Sequence, residues 1–154
     1  MYSGEVLPHR LDDKVEFHLN GPAAVGVGVA LATVMLAPLP LFLSKRAGLE
    51  FLAVQLGFIG AVYFGFAVAD GSIRSLLVEF PVSGVFLALG AVTLWAKSPP
   101  LLAAGYLAHA VWDLVHHPRA VPTPVRSWYP PFCVVFDLVV AGFILVWLPL
   151  GKLT

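Results

Sequence analysis

The apolar positions of the chain gather into five long runs, each closed by prolines, glycines or charges, and each run predicts a membrane-crossing helix. They cover residues 22–43, 51–69, 73–95, 99–117 and 130–149, and a helix needs roughly 20 apolar residues to cross a bilayer core. Residues 1–20 stand apart as a polar segment in which Val15, Phe17 and Leu19 alternate with polar neighbours. The expectation is an all-α protein: an integral membrane bundle of five transmembrane helices in residues 21–154, behind that segment.

The punctuation between runs predicts the connections. Pro38 and Pro40 bend or end the first helix, and Ser44, Lys45, Arg46 and Gly48 form the turn that follows. Asp70-Gly71 is a strong turn signal, so the second and third runs make a tight hairpin. Pro99 and Pro100 suit a helix start, and Pro118 disfavours helical geometry at the residue before it, which ends the fourth run at His117. Pro118, Pro122 and Pro124 with Arg119 and Arg126 mark an ordered polar loop. Gly21, Gly26 and Gly28 have neither the preceding strand nor the Lys-Ser/Thr of a phosphate loop, so their expected role is close helix packing.

Composition narrows the class. Only 12% of the 154 residues are charged and the mean hydropathy is +0.88, which excludes a soluble domain of this size. The net charge is zero and the nine Lys and Arg residues are scattered, so nucleic-acid binding has no electrostatic footprint. A single cysteine, Cys133, excludes an intramolecular disulfide and any Cys-rich zinc or iron-sulfur framework. The polar first twenty residues, His9 and His18 among them, carry no cleavable signal peptide, and insertion is expected to use the first run itself.

Five crossings put the termini on opposite sides, and the alternation sorts the remaining polar residues. On the side of the N-terminus, called side A, lie the Asp70 turn, the end of the fourth helix and the start of the fifth. At 1.5 Å per residue Glu79 is about 9 Å, Asp113 about 6 Å, His109 about 12 Å and Asp137 about 10 Å in from that side. Every intramembrane carboxylate and histidine thus falls in one half of the bilayer. Lys and Arg number five on side A and four on side B, a slight balance toward side A being cytoplasmic.

Each carboxylate at the bilayer centre costs about 2.5–3.5 kcal/mol on insertion scales, so these side chains must face inward. His109, Asp113 and His116 lie within about 60° of one another on the fourth helix, with His117 about 40° further round. Imidazole plus carboxylate suits a divalent ion, Zn²⁺ or Fe²⁺ before others. The expected ligands are therefore His109, Asp113, His116 and His117, completed from neighbouring helices by Asp137, Glu79 or Asp70. Asp137 and Glu79 are the candidate general acid or base. Tyr63, Tyr106, Trp112 and Cys133 stand near enough to line a pocket with Asp70, although core packing also explains them. The competing account is a satisfied polar network that only holds helices together.

Ala69-Asp70-Gly71, the His-x-x-x-Asp-x-x-His-His stretch at 109–117, and Trp-Tyr-Pro-Pro-Phe-Cys at 128–133 with Asp137 resemble a family of small bacterial integral membrane proteins, the domain of unknown function numbered 6010. The resemblance covers nearly the whole chain. It implies a multi-pass protein of the bacterial plasma (inner) membrane and no particular activity. Di-iron desaturases place many more histidines in several boxes, and the zinc-ligand spacing of alkaline ceramidases is not reproduced here.

The functional expectation is a membrane-embedded, metal-dependent enzyme acting on a lipid-like or small apolar substrate, with hydrolysis as the reaction. Its partners are the lipid bilayer and that substrate, with a homo-oligomer or a larger membrane complex as further associations. Two alternatives use the same residues: a proton or metal-ion transport protein, and a non-catalytic subunit of a larger complex.

Overall fold

A computed structural model describes residues 21–116 and 120–148. The polar N-terminal segment with His9 and His18, the expected ligand His117 and the tail with Lys152 lie outside the described residues. Seven helices follow in order: α1 (Gly21–Leu36), α2 (Leu39–Phe42), α3 (Lys45–Gly60), α4 (Val62–Asp70), α5 (Ile73–Ala96), α6 (Pro99–His116) and α7 (Tyr129–Trp147). Because α1 with α2, and α3 with α4, each make one bent crossing, the architecture is an all-α membrane bundle of five crossings. Four of these are long and apolar enough to span a bilayer: Gly21–Phe42, Lys45–Asp70, Ile73–Ala96 and Tyr129–Trp147. The fifth, α6, carries its polar residues on a buried face, while Ala104, Leu107, Ala108, Val111 and Leu114 are exposed at helical spacing. Its outward stripe is thus as apolar as lipid requires.

Serine side chains set three helix starts. Ser44 accepts the Ala47 backbone N–H at 3.2 Å, Ser72 that of Ser75 at 3.5 Å and Ser98 that of Leu101 at 3.4 Å. The first of these corrects the expected turn: Lys45, Arg46 and Gly48 belong to α3, which begins well before residue 51. Arg46 pairs with Glu50 one turn on, at 2.9 Å, and Lys45 donates to the Trp147 carbonyl while lying over its ring. At the other end of this crossing Gly71 adopts φ 71°, the left-handed geometry that lets α4 stop and α5 start within three residues.

Two breaks shape the interior. The α3–α4 crossing kinks at Ala61, whose N–H bonds back only three residues to Phe58, and Ser83 of α5 donates to the Gly60 carbonyl at 2.9 Å. Pro81 sits inside α5, yet that helix continues through it. Among the three N-terminal glycines only Gly28 makes a close approach: a Cβ there would stand 2.6 Å from the Phe132 carbonyl oxygen, whereas Gly21 and Gly26 face open space.

Helix α6 is the hub. It packs on α7 along one flank and on α5 and α3 along the other, while α1 lies along α7, and α3 and α4 lie along α5. The apolar core of Leu52, Leu56, Leu102, Tyr106, Val140 and Ile144 fills the side B half between these layers. Apolar side chains such as Val34, Phe58, Leu77, Leu87, Val111 and Val146 are exposed all round the bundle, the surface of a chain solvated by lipid.

Candidate functional site

The polar residues of α6 meet different neighbours at different heights. His109 faces α7, where its Nδ1 lies 2.6 Å from Asp137 Oδ2 and 3.5 Å from Asp113 Oδ2 one turn along its own helix. Asp113 and Asp137 therefore converge on one imidazole, all three at least 97% buried. With Nδ1–H donated to Asp137, the Nε2 lone pair is free, and that atom is buried without a partner. Asp113 Oδ2 has no hydrogen-bond partner nearer than that 3.5 Å approach to His109, while Asp113 Oδ1 accepts the Tyr63 hydroxyl at 2.8 Å.

Two turns from His109, and one turn beyond Asp113 towards side A, His116 belongs to a separate group. Its Nδ1 is 2.9 Å from the Trp112 carbonyl, which can only accept, and its Nε2 is 3.0 Å from Glu79 Oε1. One proton is thus held between the imidazole Nε2 and the Glu79 carboxyl. Thr123 donates to the same oxygen at 2.6 Å, tying the loop between α6 and α7 to α5. The Tyr63 ring spans both groups, stacked on His116 with centroids 3.8 Å apart.

His109, Asp113 and Asp137 each offer a ligand atom, and these atoms all lie within 4.8 Å of one another. Donors around one zinc-sized ion stand at most about 4.2 Å apart, twice a bond length of roughly 2.1 Å, so a sub-ångström adjustment would close the set. The electrostatics also call for positive charge. Two carboxylates no more than 4.8 Å apart repel by at least about 3 kcal/mol at an effective dielectric near 20. A single histidine offsets one of them; a divalent cation would offset both.

Several expected site residues are placed elsewhere. His116 is not a neighbour of His109: seven residues separate them by about 10 Å along the axis, too far to share an ion, and both its nitrogens are engaged. Glu79 pairs with His116 and stands outside the His109 cluster. Asp70 is exposed, accepts from Ser75 at 3.0 Å and lies in the α4–α5 turn. Tyr106 points away from the cluster, its hydroxyl 2.8 Å from the Leu52 carbonyl and 2.9 Å from Gln55 Oε1. Trp112 packs edge-on against His116, and Cys133 is buried one turn before Asp137.

Two residues escaped the sequence reading. Thr123 lies in a Pro-Thr-Pro stretch, and a hydroxyl held between two prolines was a signal for a fixed loop contact. Tyr129, at the start of α7, packs edge-on against Tyr63 and Phe66, beside the cluster.

The fold and site define a multi-pass helical membrane protein with a buried histidine–carboxylate cluster in one half of its interior. Residues 22–149 match the model of a family of unknown function, DUF6010, and the chain belongs to that family. No curated protein and no solved structure gives a significant match.

Proposed function

We propose that this protein is a membrane-embedded, metal-dependent enzyme, with His109, Asp113 and Asp137 holding one divalent cation, Zn²⁺ or Fe²⁺, and with a lipid-like substrate. The observation that carries the reading is the convergence of three buried ligand atoms within 4.8 Å, with His109 Nε2 buried without a partner and Asp113 Oδ2 met by no hydrogen-bond donor nearer than the 3.5 Å approach of His109 Nδ1. A network serving only to hold helices would be expected to satisfy them, because an unpaired buried polar atom costs about 1–3 kcal/mol.

The reaction class is hydrolysis of an acyl ester or amide. A bound cation would supply Lewis acidity and lower the cost of ionising water. The water oxygen bonds to the carbonyl carbon, the bond from that carbon to the leaving oxygen or nitrogen breaks, and one water proton ends on the leaving group. In this scheme Asp137 would bind the ion beside His109, and Tyr63 would fix Asp113 through Oδ1, leaving Oδ2 for the ion. The Glu79–His116 pair holds a proton within the same half of the membrane. Among the described residues the buried carboxylates and histidines all lie in the side A half, which favours a one-sided site over an ion path.

Elemental analysis of protein purified in mild detergent tests the reading, with His109→Ala, Asp113→Ala and Asp137→Ala beside it. About one metal per chain in the wild type and loss in each variant is expected. Folded wild-type protein that binds no added Zn²⁺ or Fe²⁺ would refute it.

A further inference from the structure

Helix α1 turns Ala24, Gly28, Ala32 and Leu36 inward at four-residue spacing and lies along α7. It meets α3 through the short α2 at one end instead of packing along it. The two crossings therefore part in the middle of the bundle, and a recess of about 290 Å³ opens between them. Leu31 of α1 and Phe58 of α3 stand at its mouth, 50% and 72% exposed, both near the middle of their crossings, Gly21–Phe42 and Lys45–Asp70. A mouth at that height faces acyl chains and not water. The inner end reaches His109 and Asp137, with Cys133 beside them. His109 Nε2, buried and unpartnered, supplies a polar group without a partner at the closed end.

From this placement we infer that the recess admits a single-chain amphiphile sideways from the bilayer, its chain passing between Leu31 and Phe58 and an uncharged carbonyl head reaching His109 and Asp137. The head's encounter with a metal there rests on the function proposed above; the sideways access does not. Size and charge choose the occupant. At roughly 30 Å³ per water-sized group, 290 Å³ takes about ten such groups, enough for a head and the first part of one chain but not for two chains. No Lys or Arg lines the recess and Asp137 does, so a phosphate head would meet a carboxylate without a counter-charge.

The single cysteine of the chain lines the recess and serves as a reporter. Protein reconstituted in phosphatidylcholine vesicles is treated with a long-chain alkyl maleimide dissolved in the lipid or with a sulfonated, water-soluble maleimide, and Cys133→Ala gives the background. Labelling from the lipid should be roughly tenfold faster or more, since thiol reactivity follows access. A monoacylglycerol should protect Cys133 while an alkyl phosphate of equal chain length should not. Leu31→Trp, which narrows the mouth without touching the core, should slow labelling and leave metal content unchanged. Equal labelling by the two reagents, no labelling from the lipid, or no protection by monoacylglycerol overturns the inference. Metal is counted in the same samples: Asp113→Ala that loses metal but keeps selective labelling supports both readings. A metal-free wild type with selective, protectable labelling refutes the metal site alone and upholds the recess.

Discussion

Replacing Tyr63 with phenylalanine removes one oxygen from the interior and separates positioning from packing. The hydroxyl donates to Asp113 Oδ1 at 2.8 Å, and both residues are at least 99% buried. The ring would stay stacked on His116 at 3.8 Å. A hydrogen bond to a charged acceptor is worth about 1.5–3 kcal/mol, which is roughly 10- to 100-fold in a binding constant. Outer partners of metal ligands independently fall in that range. Tyr63→Phe should therefore weaken Zn²⁺ binding by about one to two orders of magnitude while one ion still binds at saturation. Competition with a chromophoric chelator measures this in detergent. The decisive control is a double-mutant cycle with Asp113→Asn: if Tyr63 acts through that carboxylate, its effect should shrink once the carboxylate is gone. Unchanged affinity in Tyr63→Phe, or an equal loss in both backgrounds, would refute the positioning role.

Other substitutions separate the site from its surroundings. Asp70→Asn and Tyr106→Phe should leave metal stoichiometry unchanged, because Asp70 is exposed in the α4–α5 turn and the Tyr106 hydroxyl serves α3; metal loss in either would mean that the cluster has been drawn too narrowly. Gly28→Ala places a methyl 2.6 Å from the Phe132 carbonyl and should cost about 1–3 kcal/mol by overpacking, whereas Gly26→Ala, facing open space, should be nearly neutral in thermal unfolding. Thr123→Val deletes the 2.6 Å bond to Glu79 and should cost about 1–3 kcal/mol, with faster hydrogen exchange in residues 120–126 as its local signature.

The number of crossings was legible in the chain because a bilayer imposes length and apolarity on each helix separately. So was the gathering of carboxylates and histidines in one half of the membrane. Burial cost is a property of each side chain, and the alternation of crossings assigns its depth. The helix axis also carried a limit that the angular argument passed over: His109 and His116 share a face, but their separation of about 10 Å forbids one ion between them. Partners could not be read this way. Whether His109 meets Asp137 or Glu79 depends on α7 flanking α6 at one height and α5 at another, and close approaches such as Gly105 of α6 on Leu56 and Leu89 set α6 against α3 and α5. Tyr63 reaches Asp113 from α4, beyond the break at Ala61, where Ser83 takes up the Gly60 carbonyl. The sequence alone thus determined that a costly polar cluster must be buried and in which half. Tertiary packing alone decided how its two histidines divide the carboxylates, because hydrogen bonds and coordination act over a few ångströms between helices distant along the chain.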